Sequence, residues 1–106
     1  MLVAFSVAPG TAGADGSVHD AVAKAVRIVR ESGLPNRTDA MFTTIEGEWD
    51  EVMAVVKAAT DAILEVAPRA SLVLKADIRP GWSGELDGKV DRLERALEHP
   101  AAQEDR

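Results

Sequence analysis

Three polar residues, Ser6, Lys75 and Asp77, have the side chains best suited to holding a small polar molecule. Each lies in a segment where apolar and polar residues alternate, which is typical of a β-strand with one buried face. In both segments the polar residues point away from the apolar set. A hydroxyl, an ammonium and a carboxylate together offer hydrogen-bond donors and acceptors to a ligand. Two alternatives remain open: a solvated sheet face, or a Lys75–Asp77 ion pair inside a subunit interface.

Four further residues could complete such a site. Thr43 and Thr44 are consecutive in a strand-like segment, so one of them faces each side of the sheet, and the outer one is a candidate hydroxyl donor. Glu46 ends the same segment and could place a carboxylate at a pocket rim. Trp82 lies in a Pro-Gly-Trp-Ser-Gly loop and is the aromatic residue least explained by packing within one subunit. It could stack on a flat cation.

The residue types needed for catalysis or for binding a metal ion are scarce. His19 and His99 are the only imidazoles, cysteine is absent, and no Gly-x-Ser-x-Gly elbow surrounds a serine. The acidic residues Glu48, Asp50 and Glu51 match no calcium loop and favour a helix N-terminus instead. We therefore predict a protein without a catalytic site, a metal site or a cofactor.

Composition restricts the partners. The 106 residues carry a net charge of −6, which repels phosphate backbones and argues against nucleic-acid binding. The longest apolar runs fall far short of the roughly 20 residues that a membrane span needs. The sequence predicts no signal peptide, and the lack of cysteine suits a reducing compartment, so we expect a cytoplasmic protein. The chain length fits one domain, residues 1–99, with a polar tail at 100–106.

Hydrophobic periodicity predicts the elements that position these residues. Strands are expected at 2–8, at 36–41 and 42–46 or as one bent strand over both, and at 71–79. Helices are expected at 17–32, at 49 or 50 to 66, and over the 4-3-4 spacing of Leu86, Val90, Leu93 and Leu97. A capping box of Ser17 with Asp20 should begin the first helix, and Gly33 should end it.

This order predicts an α+β fold, namely a ferredoxin-like βαββαβ sandwich with an additional C-terminal helix. In that topology the first and last strands are neighbours, which brings Ser6 towards Lys75 and Asp77. The two main helices cover one face of the sheet and leave the other face bare. A partner subunit, the third helix or a ligand must cover the bare face.

Several segments resemble the thiamine-binding-protein-like family, the YkoF-like group of small ferredoxin-like domains. They are Ser6-Val7-Ala8-Pro9, Glu31-Ser32-Gly33-Leu34, Met41 with Thr43-Thr44-Ile45-Glu46-Gly47-Glu48, Asp50-Glu51-Val52, and Lys75-Ala76-Asp77-Ile78-Arg79. The resemblance covers about residues 1 to 97, in the right order and spacing.

The resemblance implies a cytoplasmic homo-oligomer, a dimer or a tetramer, that binds thiamine or its hydroxymethyl-pyrimidine part without catalysis. On that expectation, Ser6, Asp77 and a threonine would bind the aminopyrimidine, and an acidic protein with Trp49, Trp82 or Phe42 nearby would hold the thiazolium cation. One alternative is an interaction module without a ligand, whose sheet face serves only oligomerisation. A second alternative is an enzyme acting on precursor metabolites.

Overall fold

The computed structural model describes residues 1–10 and 17–98, and of Ser17 and Val18 it describes the backbone alone. Three predictions therefore lie outside the described residues: the Ser17–Asp20 capping box, the setting of His99 and the polar tail at 100–106. Most of the predicted loop at 10–16 lies outside them as well.

Seven elements follow one another in the described residues. They are β1 (Leu2–Pro9), α1 (Ser17–Glu31), β2 (Asn36–Thr38), β3 (Thr43–Glu46), α2 (Trp49–Leu64), β4 (Ala70–Asp77) and α3 (Glu85–Glu98). The strands form one antiparallel sheet in the order β2-β3-β1-β4. This confirms the predicted ferredoxin-like α+β fold with its C-terminal helix, and it makes the first and last strands neighbours.

The core lies between the sheet and the two helices α1 and α2. Its strand residues are Val3, Phe5 and Ile45, which are buried and lie on the sheet face that the helices cover. Helix residues spaced three and four apart complete it: Ala25, Val29, Val52, Val56 and Ala59. Because successive strand residues point to opposite faces, the neighbours Ala4 and Thr44 must point to the other face.

The strand boundaries depart most from the prediction at two places. The strand pair is shorter than expected because residues 39–42 form a tight turn, in which the Asp39 N–H donates to the Phe42 carbonyl at 3.0 Å. The last strand ends at Asp77 rather than Arg79. Its partner β1 begins at Leu2, which pairs with Asp77, so the β1–β4 ladder ends there and Ile78 lies outside it. Ile78, which falls within the predicted strand at 71–79, is exposed.

Helix α3 begins on the otherwise bare sheet face and contributes little to the core. Its apolar stripe at Val90, Leu93 and Leu97 is exposed, with Leu93 at 58%. In the described part of the chain, no helix combines the length and the apolar character needed to cross a membrane.

Candidate functional site

The open sheet face carries five of the predicted site residues: Ser6, Thr44 and Lys75, with Glu46 and Asp77 at the end where α3 begins. Ala4 lies opposite Lys75 on one side and opposite Thr44 on the other, so these two polar side chains flank a small, flat residue. Ser6 lies two residues along β1 on the same face, opposite Val73. Among the described residues Lys75 takes part in no ion pair, and its side chain is exposed. The face therefore offers two hydroxyl groups and one ammonium group in one area.

Asp77 lies at the end of this face but is bound to α3. Its carboxylate accepts a hydrogen bond from the Lys89 ammonium at 2.5 Å, so its ion-pair partner is Lys89 rather than Lys75. The hydrogen bond from Lys89, together with the positive charge of that residue, holds the pKa of the Asp77 carboxyl below its usual range. Asp77 is thereby kept ionised, at the point where α3 crosses the sheet end.

Glu46 also belongs to the attachment of α3. Its side chain is 7% exposed, and both of its carboxylate oxygens accept backbone hydrogen bonds, from Glu85 at 2.8 Å and from Leu86 at 3.0 Å. Gly84, which precedes the helix at φ +69°, has no side chain that could cap these N–H groups. Glu46 therefore acts as the N-cap of a helix about 40 residues away, although we expected it at a pocket rim.

Trp82 stacks against side chains of its own chain. The Arg79 guanidinium lies 3.5 Å from the centroid of the Trp82 ring, and the Arg92 guanidinium lies 5.5 Å from it. Arg92 also donates two hydrogen bonds to Glu85, at 2.7 and 3.3 Å, which lower the pKa of Glu85 and raise that of Arg92. The exposure of Trp82, 47%, leaves part of the ring accessible. Contacts within one subunit therefore account for the position of Trp82, which the sequence alone left without a packing partner.

Thr43 faces the opposite side of the sheet from Thr44. It pairs with Phe5, which lies in the core, and it is only 8% exposed. Its Oγ1 lies 3.1 Å from the Oγ1 of Thr38 on the neighbouring strand, so the two hydroxyl groups share a hydrogen bond. The structure therefore resolves which threonine is the inner one. Thr43 does not share the open face with Lys75 and Asp77, but Thr43 and Ser6 both line the cavity described next.

A cavity of about 190 Å³ lies beside Thr43, between α1 and the 39–42 turn. It forms at the place where β3 stops pairing with β1, since Phe5 is the last β1 residue with a partner on β3. Its lining is Phe5, Ser6, Val7, Val22, Ala25, Val26, Val29, Thr38, Asp39, Ala40, Met41, Phe42 and Thr43.

The cavity combines apolar walls with a few polar groups. The hydroxyls of Thr38 and Thr43 lie on the strand side, and Asp39 is the only residue of the described lining with an ionisable side chain. Asp39 Oδ1 accepts the N–H groups of Met41 at 3.3 Å and Phe42 at 3.2 Å, which holds the turn in place. Such a mixture of apolar surface and few fixed polar groups is typical of small-molecule sites.

Sequence reasoning did not identify Thr38 and Asp39 as site residues. Thr38 becomes a neighbour of Thr43 only through the register of the β2–β3 hairpin, which pairs these two residues. An Asp that begins a turn between two strand-like segments is a signal that could have indicated Asp39.

In residues 1–10 and 17–98, no group of three or more histidine or acidic side chains is placed to hold a metal ion. Asp50 and Glu51 lie in the first turn of α2, and the Glu51 carboxylate accepts the Glu48 N–H at 3.2 Å, so the acidic cluster serves the helix N-terminus.

Comparison with known proteins identifies similar chains. A family model described as thiamine-binding protein matches residues 3–94. A UPF0045 protein of Mycobacterium bovis is 52% identical over 101 residues, which cover 94% of this chain and 97% of that protein.

Two solved structures share the fold. A domain of unknown function from Bacillus cereus, DUF77, superposes with a TM-score of 0.73 at 34% identity, covering 84% of this chain and 85% of that one. A Thermotoga maritima protein, described as a candidate thiamine biosynthesis or salvage protein, has a TM-score of 0.70 at 28% identity, covering 87% and 96%.

Proposed function

This chain belongs to the thiamine-binding protein family, and on that premise we propose that it is a non-enzymatic protein that binds thiamine or its hydroxymethyl-pyrimidine part. The observation that carries the proposal is the family match over residues 3–94, which includes all four strands and both core helices. The Thermotoga structural neighbour, described as a candidate thiamine biosynthesis or salvage protein, supports the same ligand class.

Charge supports a ligand that is a permanent cation. The chain carries a net charge of −6, so the thiazolium ring of thiamine is attracted over long range. Binding requires no bond to be made or broken, and the role that follows is sequestration or delivery of the ligand. The predicted residues Ser6, Lys75 and Thr44 offer polar partners on the open sheet face, next to Asp77, Glu46 and Trp82 at the base of α3.

The proposal includes a cytoplasmic homo-oligomer, a dimer or a tetramer. Two features of the chain support self-association: a sheet face that α3 covers only at one end, and the exposed stripe of Val90, Leu93 and Leu97. Exposed apolar stripes of this kind mark interaction surfaces in small domains. The same two features are what favour the alternative function, an interaction module without a ligand.

Calorimetry tests the ligand, and light scattering tests the assembly. With protein at tens of micromolar, we expect thiamine or the free pyrimidine to bind with a micromolar or lower Kd, which corresponds to about −8 kcal/mol. The bound compound should be recovered chemically unchanged after prolonged incubation. An oligomer that gives no heat with either compound would favour the interaction module, and turnover of the compound would favour an enzyme.

A further inference from the structure

We propose that α3 is a clamp on the β2–β3 hairpin, so that docking of α3 on the sheet is coupled to closure of the β2 arm. The β2 arm is the segment 36–42, which consists of β2 and the 39–42 turn. Each of the two elements has a closed and an open state: α3 is docked or released, and the β2 arm is paired with β3 or separated from it. The proposal goes beyond the proposed function and does not depend on which ligand the protein binds.

The rest of the sheet holds the β2 arm weakly. β2 has three residues and is an edge strand, which pairs with β3 and with no second strand of the sheet. Thr43 is the last residue of the hairpin that pairs with β1, so the 39–42 turn lies beyond that ladder. Short edge segments with few partners open locally at a low cost in free energy. One additional contact can therefore change the fraction of time for which the β2 arm is open.

The first turn of α3 is bound to both strands of the hairpin. Arg37 of β2 forms an ion pair with Asp87 of α3, with 2.7 Å between the nitrogen and the oxygen. On β3, the Glu46 carboxylate accepts two backbone N–H groups from the start of α3. The Glu46 N–H in turn donates to the carbonyl of Pro35, just before β2, at 2.9 Å. The helix therefore bridges the two strands near the base of the hairpin.

Consecutive residues of β2 connect α3 with the cavity. Arg37 pairs with Thr44 in the ladder and points to the open face, where α3 lies. Thr38, the next residue, points to the other face, where its hydroxyl lies 3.1 Å from that of Thr43 and both residues line the cavity. A movement of β2 away from β3 therefore breaks the contact with α3 and opens the cavity wall at the same time.

The coupling has a definite size and acts in both directions. The Arg37–Asp87 ion pair exists only when α3 is docked and the β2 arm is closed, so each state stabilises the other by the same factor. The two side chains are 54% and 71% exposed. Exposed pairs of this kind change an equilibrium constant by up to about fivefold. We therefore expect release of α3 to increase opening of the β2 arm by about twofold to fivefold.

Hydrogen exchange of the β2 arm in two variants of α3 tests the coupling. Asp87→Asn removes the ion pair, whereas Asp91→Asn removes the same charge one turn further along, where the described residues offer no ion-pair partner within reach. In Asp87→Asn, the amides of segment 36–42 should exchange about twofold to fivefold faster than in wild type. They include the Asp39 N–H, which donates to the Phe42 carbonyl. In Asp91→Asn they should exchange as in wild type.

A double-mutant cycle and added salt separate coupling from other effects of the substitutions. Arg37→Gln should accelerate exchange of segment 85–98, and Asp87→Asn should have no further effect on segment 36–42 once Arg37 is replaced, because the pair is already lost. In wild type, 1 M salt should bring the exchange of segment 36–42 close to that of Asp87→Asn, since salt screens exposed charges. Circular dichroism and the melting temperature establish that each variant is folded.

Three results would overturn the clamp. The first is exchange of segment 36–42 that is the same in Asp87→Asn as in wild type, even if α3 itself exchanges faster. The second is an equal acceleration by Asp87→Asn and Asp91→Asn, which would be a general effect of charge. The third is an effect of Asp87→Asn on segment 36–42 that persists in the Arg37→Gln background. Calorimetry with thiamine is a separate measurement, so failure of the clamp leaves the proposed function in place.

Discussion

Removal of the Glu46 carboxylate should release α3 from the sheet while leaving the core folded. Both oxygens of Glu46 accept backbone N–H groups from the first turn of α3, at 2.8 and 3.0 Å, and Gly84 has no side chain that could replace them. Exposed ion pairs, Asp77 with Lys89 and Arg37 with Asp87, also hold the helix, and Arg92 of α3 lies 5.5 Å from the centroid of the Trp82 ring. Exposed pairs contribute little, about 0–1 kcal/mol each.

The magnitude follows from the chemistry of the cap. Hydrogen bonds to a charged acceptor contribute about 1.5–3 kcal/mol each, whereas loss of a helix cap typically costs about 1 and at most about 2 kcal/mol. We take about 2 kcal/mol for Glu46→Ala, because water can reach the freed N–H groups once the helix moves. At 1.4 kcal/mol per tenfold change, this corresponds to an increase of roughly 30-fold in the equilibrium for opening of α3.

Hydrogen exchange of segment 85–98 measures that opening directly. Its amides should exchange roughly 30-fold faster in Glu46→Ala than in wild type, whereas amides of the core strands β1 and β3 change little. Glu46→Gln, which retains one oxygen acceptor without charge, should fall between the two. Glu94→Ala on the exposed part of the same helix is the matched control. Equal exchange of segment 85–98 in the Glu46→Ala and Glu94→Ala variants would refute the capping argument.

Two further predictions concern α3. Leu93→Asp should lower the oligomer size measured by light scattering but change the melting temperature of an isolated subunit little, because Leu93 is 58% exposed in the single chain; an unchanged oligomer would mean that the stripe lies outside the interface. Acid should loosen α3. The folded-state pKa values of Asp77 and Glu85 lie below their ordinary values of 3.8 and 4.5, so the two carboxylates stabilise the folded chain when the pH is above those ordinary values. This stability is lost as the pH falls through the lower folded-state pKa values. The exchange of segment 85–98 should therefore accelerate, after correction for intrinsic rates, below about pH 4, and Asp77→Asn should reduce that acid sensitivity.

Local patterns in the sequence determined most of the fold. The alternation in β1 predicted that Ser6 points away from an apolar set, and two residues of that set, Val3 and Phe5, lie in the core. The 4-3-4 spacing of Leu86, Val90, Leu93 and Leu97 predicted the terminal helix. These patterns suffice because a strand or a helix has a fixed period, so the spacing of apolar residues reports which face is buried.

The grouping of the candidate site residues was decided by contacts between distant parts of the chain. The alternation required Thr43 and Thr44 to face opposite sides, but only the pairing of Thr43 with Phe5 showed which of them faces the core. The hydrogen-bond partners of Glu46 are about 40 residues away in the sequence. Glu46 caps α3 because Gly84, the residue before that helix, has no side chain that could do so.

The cavity likewise depends on tertiary structure. It exists because β3 stops pairing with β1 at Phe5, because the hairpin register brings Thr38 beside Thr43, and because α1 and the 39–42 turn both contribute walls. Each of these is a relation between elements that no local period encodes. Residue types and spacing could therefore indicate a binding protein of this family. Only the folded chain shows that the predicted site residues divide among an open sheet face, a helix cap and a cavity wall.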